Sequence, residues 1–187
     1  VVLDPVGAGA SRLRTETALN LMKEVKFDVI KGNISEIKIL AYGSGSTRGV
    51  DADGTDAVTE EALDSSIAFV KEFAAKSRSV IAITGAIDLV SDAATCYIIR
   101  NGRAEMGKIT GTGCQLSAVI AAFITANPGQ TLKATAAAVC AMGLAGEIGW
   151  RSMAPSDGNS TYRNRMIDAI YHMDGDTLEK GANYEVR

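Results

Sequence analysis

At 187 residues, 47% apolar and 22% charged, the chain has the composition of one globular domain with room for a sizeable core. Its net charge of −3, with no basic block, argues against an extended nucleic-acid surface, so any bound phosphate must be handled by a local site. Cys96, Cys114 and Cys140 have no zinc-ligand spacing, and no apolar run approaches the roughly 20 residues of a membrane span; the expectation is a reducing, cytoplasmic setting away from membranes.

Val1 to Leu3 predict a buried strand, ended by Asp4-Pro5. The opening "VVLDPVGAGAS" is already strand and turn, without an initiator Met, and an upstream portion is expected. Ser11 follows the glycine turn as candidate N-cap of a helix reaching about Val25. Phe27 to Ile30 predict a short strand. It leads into "KGNISEI", where Asn33 is placed to cap a short helix carrying Glu36 at its third residue. Residues 43–57 are rich in glycine and aspartate and predict a loop.

From Thr59 to Ala75 the period is helical, with Ala62, Leu63, Ile67, Phe69, Val70 and Phe73 mostly on one side. Val80 to Ile83 predict another buried strand, ended by Thr84-Gly85. Thr95 to Arg100 and Ala104 to Lys108 suggest a hairpin around Asn101-Gly102. Three helices follow, at about 113–126, 130–149 and 160–172. The last 14 residues, from Asp174, read as a polar surface tail. Strands alternating with helices predict an α/β layered fold with a mostly parallel central sheet. In such sheets ligands bind beyond the carboxyl ends of the strands, where Asp4, Gly32-Asn33 and Thr84-Gly85 all fall.

Several motifs carry less than their pattern suggests. Gly7-x-Gly9 has Arg12 where a dinucleotide fingerprint needs its third glycine. "GRAEMGK" is followed by Ile109, which has no hydroxyl for Mg²⁺. "DADGTD" has its glycine out of register for a calcium loop. His172, the single histidine, sits near a helix end, as do Trp150 and Met153. Cys96 and Cys140 lie in apolar runs and read as core.

Four segments remain. Asp4 and Thr84-Gly85 end strands, Asn33-x-x-Glu36 opens a helix, and Thr110-Gly111-Thr112-Gly113-Cys114 opens another. Together they offer hard oxygen ligands for Mg²⁺ and an anion site at a helix N-terminus, the parts phosphoryl transfer needs. In the order "DPVGAGAS", "VIKGNISEI", "GVDADG", "IAITGAID", "ITGTGCQLSA" and "YRNRMIDAIYHM", the chain strongly resembles the hydroxyethylthiazole kinase family of the ribokinase-like superfamily.

The resemblance covers essentially all of residues 1–187 and implies a single ribokinase-like kinase domain, incomplete at its N-terminus. It implies ATP- and Mg²⁺-dependent phosphorylation of the alcohol of 4-methyl-5-(2-hydroxyethyl)thiazole in thiamin salvage, by a homotrimer with the thiazole pocket near subunit boundaries. It assigns Asp4 and Glu36 to Mg²⁺, and Lys31, Asn33, Thr84, Gly85 and Gly111 to ATP and phosphate. It places Gly111, Thr112, Gly113 and Cys114 at the transferring phosphoryl, with Gly111 and Cys114 also touching substrate. The family often has Arg where this chain has Lys31, and Lys lacks the bidentate grip on phosphate. The place of Cys114 is often an aspartate base in related kinases. A helix N-terminus favours a thiolate, so a thiol can serve there as a weak base. A kinase for another small vitamin-precursor alcohol, a nucleotide-binding module without catalysis, and a thiol-dependent hydrolase remain as alternatives.

Overall fold

The computed structural model describes residues 1–43 and 57–187. The "DADGTD" motif and most of its loop lie outside the described residues. Six strands form one sheet in the order β1-β2-β3-β4-β5-β6. They are β1 (Val2–Leu3), β2 (Val29–Asn33), β3 (Val80–Thr84), β4 (Asp88–Ser91), β5 (Cys96–Ile99) and β6 (Tyr184–Val186). The helices are α1 (Arg12–Glu24), α2 (Ile34–Tyr42), α3 (Leu63–Ser77), α4 (Thr112–Ala126), α5 (Thr131–Arg151), α6 (Asn159–Tyr171) and α7 (Gly175–Gly181).

The inner strands of the sheet, β2 to β5, are buried on both faces and so are apolar at successive positions rather than alternately, whereas β6 is exposed. On β3, Ile81 and Ile83 join the core shared with α1, α2 and α3, while Val80 and Ala82 join the core under α4, α5 and α6. α2 buries Ile34, Ile37 and Leu40, and α3 buries Leu63, Ile67, Val70 and Phe73, both at helical spacing. α5 spans 21 residues and is apolar enough to cross a membrane by length and composition, a run that the sequence pattern understated. However, 72% of its most apolar window is buried inside the fold, so this is a core helix.

The layered α/β expectation stands, and the sheet itself is mixed. β1, β2 and β3 are parallel, whereas β4, β5 and β6 run antiparallel to their neighbours. Two local expectations are corrected. There is no hairpin around Asn101-Gly102: β5 pairs with β4 and β6, and Ala104–Lys108 is a 3-10 turn. The Asn101 side chain is held instead by tertiary partners, donating to Gly181 O at 2.9 Å and Glu147 Oε1 at 3.1 Å and accepting from Asn183 N at 2.8 Å. Nor is the segment from Asp174 a tail. Asp174 caps α7 by accepting from Thr177 N, and β6 pairs with β5, which would otherwise be a sheet edge.

Candidate active site

Parallel pairing aligns the carboxyl ends of β1, β2 and β3 on one rim, with Asn33 directly opposite Thr84. Asp4 stands just beyond β1. Its Oδ2 accepts from Lys31 Nζ, on β2, at 3.0 Å. The Lys31 side chain is only 5% exposed and that of Asp4 17%, so the pair is largely withdrawn from water. Removing either partner would strand a charge. Lys31 Nζ also donates to Gly113 O, in the first turn of α4, at 3.2 Å. Ser117, one turn further along α4, donates to Asp4 Oδ2 at 2.7 Å. The start of α4 is thereby fastened to the end of β1 and to the middle of β2.

α4 begins at Gly111, whose φ of 95° suits only glycine at low cost. No side chain caps the helix, so the N–H groups of its first turn face outward without a protein acceptor of that kind. This is the arrangement that receives an anion at a helix N-terminus. Cys114 is the third residue of α4 and is exposed.

Asn33 and Glu36 form a complete capping box at the start of α2. Asn33 Oδ1 accepts from Glu36 N at 2.8 Å, and Glu36 Oε2 accepts from Asn33 N at 2.9 Å. The other oxygen, Oε1, accepts from Gly7 N at 2.8 Å. The Gly7 turn therefore belongs to the rim through Glu36, not through a dinucleotide. Among the described residues no cluster of three His, Cys, Asp or Glu is assembled for a metal.

A cavity of about 540 Å³ opens beside this network. Thr84 and Gly85 line one side of it and Thr112 and Gly113 another, so two of the sequence-derived phosphate segments share one space. Asp4, Lys31, Asn33, Glu36, Gly111, Cys114 and Ser117 are not among its lining residues; Lys31 is joined to it through Gly113, and Asp4 through Lys31. Asn101, Gly102, Met142 and Gly143 also line it; the sequence marked Asn101-Gly102 only as a turn and did not mark Met142 or Gly143.

Asp88 is also on the wall, and it changes the reading of Gly85. Gly85 N, a candidate phosphate donor, instead donates to Asp88 Oδ1 at 2.8 Å. Burial pushes the Asp88 carboxyl up to about 7, against the lowering effect of that hydrogen bond. Ser117 and Asp88 were both missed. Their signals were faint: Ser117 lies four residues after Gly113 on one helix face, and Asp88 four after Thr84. His172 ends α6, exposed, with its ring edge-on to Tyr171.

Comparison with known proteins fits this geometry. The hydroxyethylthiazole kinase family model matches residues 1–176. The chain belongs to that family. Over 185 residues it is 56% identical to hydroxyethylthiazole kinase of Clostridium acetobutylicum, covering 99% of this chain and 68% of the relative. Against hydroxyethylthiazole kinase of Desulfovibrio desulfuricans the identity is 39%, over 98% of this chain and 67% of the relative. The solved structure of the hydroxyethylthiazole kinase protein from Pyrococcus horikoshii OT3 superposes with a TM-score of 0.79 at 29% identity. That match covers 100% of this chain and 65% of the other. The chain thus spans about two thirds of the length of these family members.

Proposed function

We propose that this chain carries the phosphoryl-transfer centre of a hydroxyethylthiazole kinase, acting in the cytoplasm in thiamin salvage. The enzyme transfers the γ-phosphoryl group of ATP to the side-chain alcohol of 4-methyl-5-(2-hydroxyethyl)thiazole. The observation that carries the reading is the uncapped, glycine-led start of α4, fastened to Asp4 and Lys31 and opening on a cavity shared with Thr84.

In this reading the α4 N–H groups and helix dipole stabilise charge on the phosphoryl oxygens. Thr84 offers a hydroxyl from the facing strand end. An ammonium has three donors; Lys31 uses two, on Asp4 and Gly113, and the third is left for a phosphate oxygen. Cys114 meets the acceptor hydroxyl. As that oxygen bonds to phosphorus and the bond to the β-phosphate oxygen breaks, Cys114 Sγ takes the hydroxyl proton and ADP leaves. A loose transition state asks little of such a base.

The acidic residues suit Mg²⁺, which prefers hard oxygen ligands and often takes only one or two carboxylates beside phosphate and water. Asp4 would hold it through Oδ1, since both its contacts fall on Oδ2. Glu36 would act through water, because each of its oxygens already accepts a backbone N–H. Bound there, Mg²⁺ would neutralise charge on the phosphate oxygens.

ADP release with ATP, Mg²⁺ and the thiazole alcohol tests the reading, with related vitamin-precursor alcohols as competitors. Cys114→Ala is expected to lower kcat by about 10²-fold, the low end of general-base effects, and to leave ATP affinity near wild type. Cys114→Asp is expected to remain active. A fully active Ala variant beside a dead Asp variant would remove Cys114 from the chemistry.

A further inference from the structure

Ser117 has one proton and two oxygens within reach. Asp4 Oδ2 is at 2.7 Å and Gly113 O, four residues back in the same helix, is at 3.1 Å. A serine inside a helix ordinarily donates to the carbonyl four residues earlier, which would make the contact a local one without consequence. Three observations turn the proton toward Asp4. The distance to Asp4 is the shorter and is typical of a hydroxyl on a carboxylate. The acceptor is charged. Gly113 O is already served by Lys31 Nζ.

The result is a chain of hydrogen bonds from the Gly113 carbonyl through the Lys31 ammonium and the Asp4 carboxylate to the Ser117 hydroxyl, with both ends on the first two turns of α4. It joins the end of β1 and the middle of β2 to the start of α4. That helix start has no side-chain cap of its own. A Cβ at position 113 would stand 3.1 Å from Lys31 Nζ, so any larger residue there would push the ammonium off its place by a few tenths of an ångström.

We propose that Ser117 is a positioning residue for phosphoryl transfer. By holding Asp4 Oδ2 it sets the direction of Asp4 Oδ1, and it fixes the α4 N-terminus relative to that carboxylate. The proposal rests on the kinase reading above. Ser117 is not among the residues that line the cavity. Its effect is therefore on the geometry in which nucleotide and alcohol meet, where small misplacements are costly.

The test is steady-state kinetics in the protein with Ser117→Ala, Ser117→Thr, Asp4→Asn and the Asp4→Asn/Ser117→Ala pair, with Mg²⁺ titrated for each. Ser117→Ala is expected to lower kcat by roughly 10-fold or more, the scale of one lost hydrogen bond to a charged group. It should also raise the Mg²⁺ concentration giving half the maximal rate, with KM for the alcohol near wild type. Ser117→Thr, which keeps the hydroxyl, should recover both. On the Asp4→Asn background, Ser117→Ala should have little further effect, because the two side chains act as one unit. Full additivity in that cycle, or a Ser117→Ala enzyme with unchanged kcat and Mg²⁺ curve, would overturn the proposal. Equal impairment of the Thr and Ala variants would overturn it too, since that marks a packing role. A wild-type protein that releases no ADP overturns the kinase reading itself. An active wild type with an indifferent Ser117→Ala overturns only the positioning role.

Discussion

Asp88 is an acid whose folded surroundings oppose its charge. Burial raises its pKa from 3.8 to about 7, so between those values the native carboxyl keeps a proton that the unfolded chain has released. Its contribution to stability is full below the lower value and is lost as pH rises through the upper one. Asp88→Asn keeps an acceptor for Gly85 N and cannot ionise. The expected outcome is a Tm that gains on wild type as pH is raised from about 5 to about 8, read by thermal unfolding at each pH. A constant difference across that range would contradict the protonated carboxyl. The same residue bears on Gly85, whose N–H donates to Asp88 Oδ1 and would have to leave it to reach a phosphate.

At the scale of elements, α5 and the Asn101 turn are pressed together at Gly143. A Cβ on residue 143 would lie 2.7 Å from both the carbonyl carbon and the Cβ of Asn101. Those atoms cannot swing aside, since Asn101 is held by Glu147, Gly181 and Asn183. Gly143→Ala is therefore expected to destabilise by about 1–3 kcal/mol, the range of overpacked sites, in denaturant unfolding. It should also impair ATP binding, because both residues line the cavity. Gly107→Ala, with nothing within 4 Å of the added carbon, serves as the control and should stay within about 0.5 kcal/mol of wild type. Equal effects of the two would separate the cost from this contact.

For the whole molecule, the open question is assembly. α4 carries no charged residue, fully buries only Leu116 and Ile120, and leaves Val119, Phe123 and Ile124 partly exposed. An uncharged, half-covered helix is a surface that association would cover. We propose a homotrimer, as the family resemblance implies, with α4 among the contacting helices. Light scattering of the protein at micromolar concentration should return three times the subunit mass. A monomer mass would contradict the assembly and leave the α4 face without a partner.

By itself the sequence determined what is local or periodic. Asn33 and Glu36 were legible as a cap because a helix start needs its acceptors within three residues, and both hydrogen bonds are present. The strand-end placing of Asp4 and Thr84 followed from apolar runs that stop, and the glycine-led start of α4 from a turn meeting an apolar helix. The tertiary structure alone decided what joins them. Ser117 and Asp4 are 113 positions apart, and Lys31 and Gly113 are 82. No spacing rule reaches that far; parallel register and the packing of α4 on β1 bring them together. The same holds for the Asn101 turn and the last strand. Asn-Gly specifies a tight turn only when the flanking segments have no better partners. Here β4 on one side and β6 on the other satisfied the backbone of β5, and buried backbone groups go where they are paired.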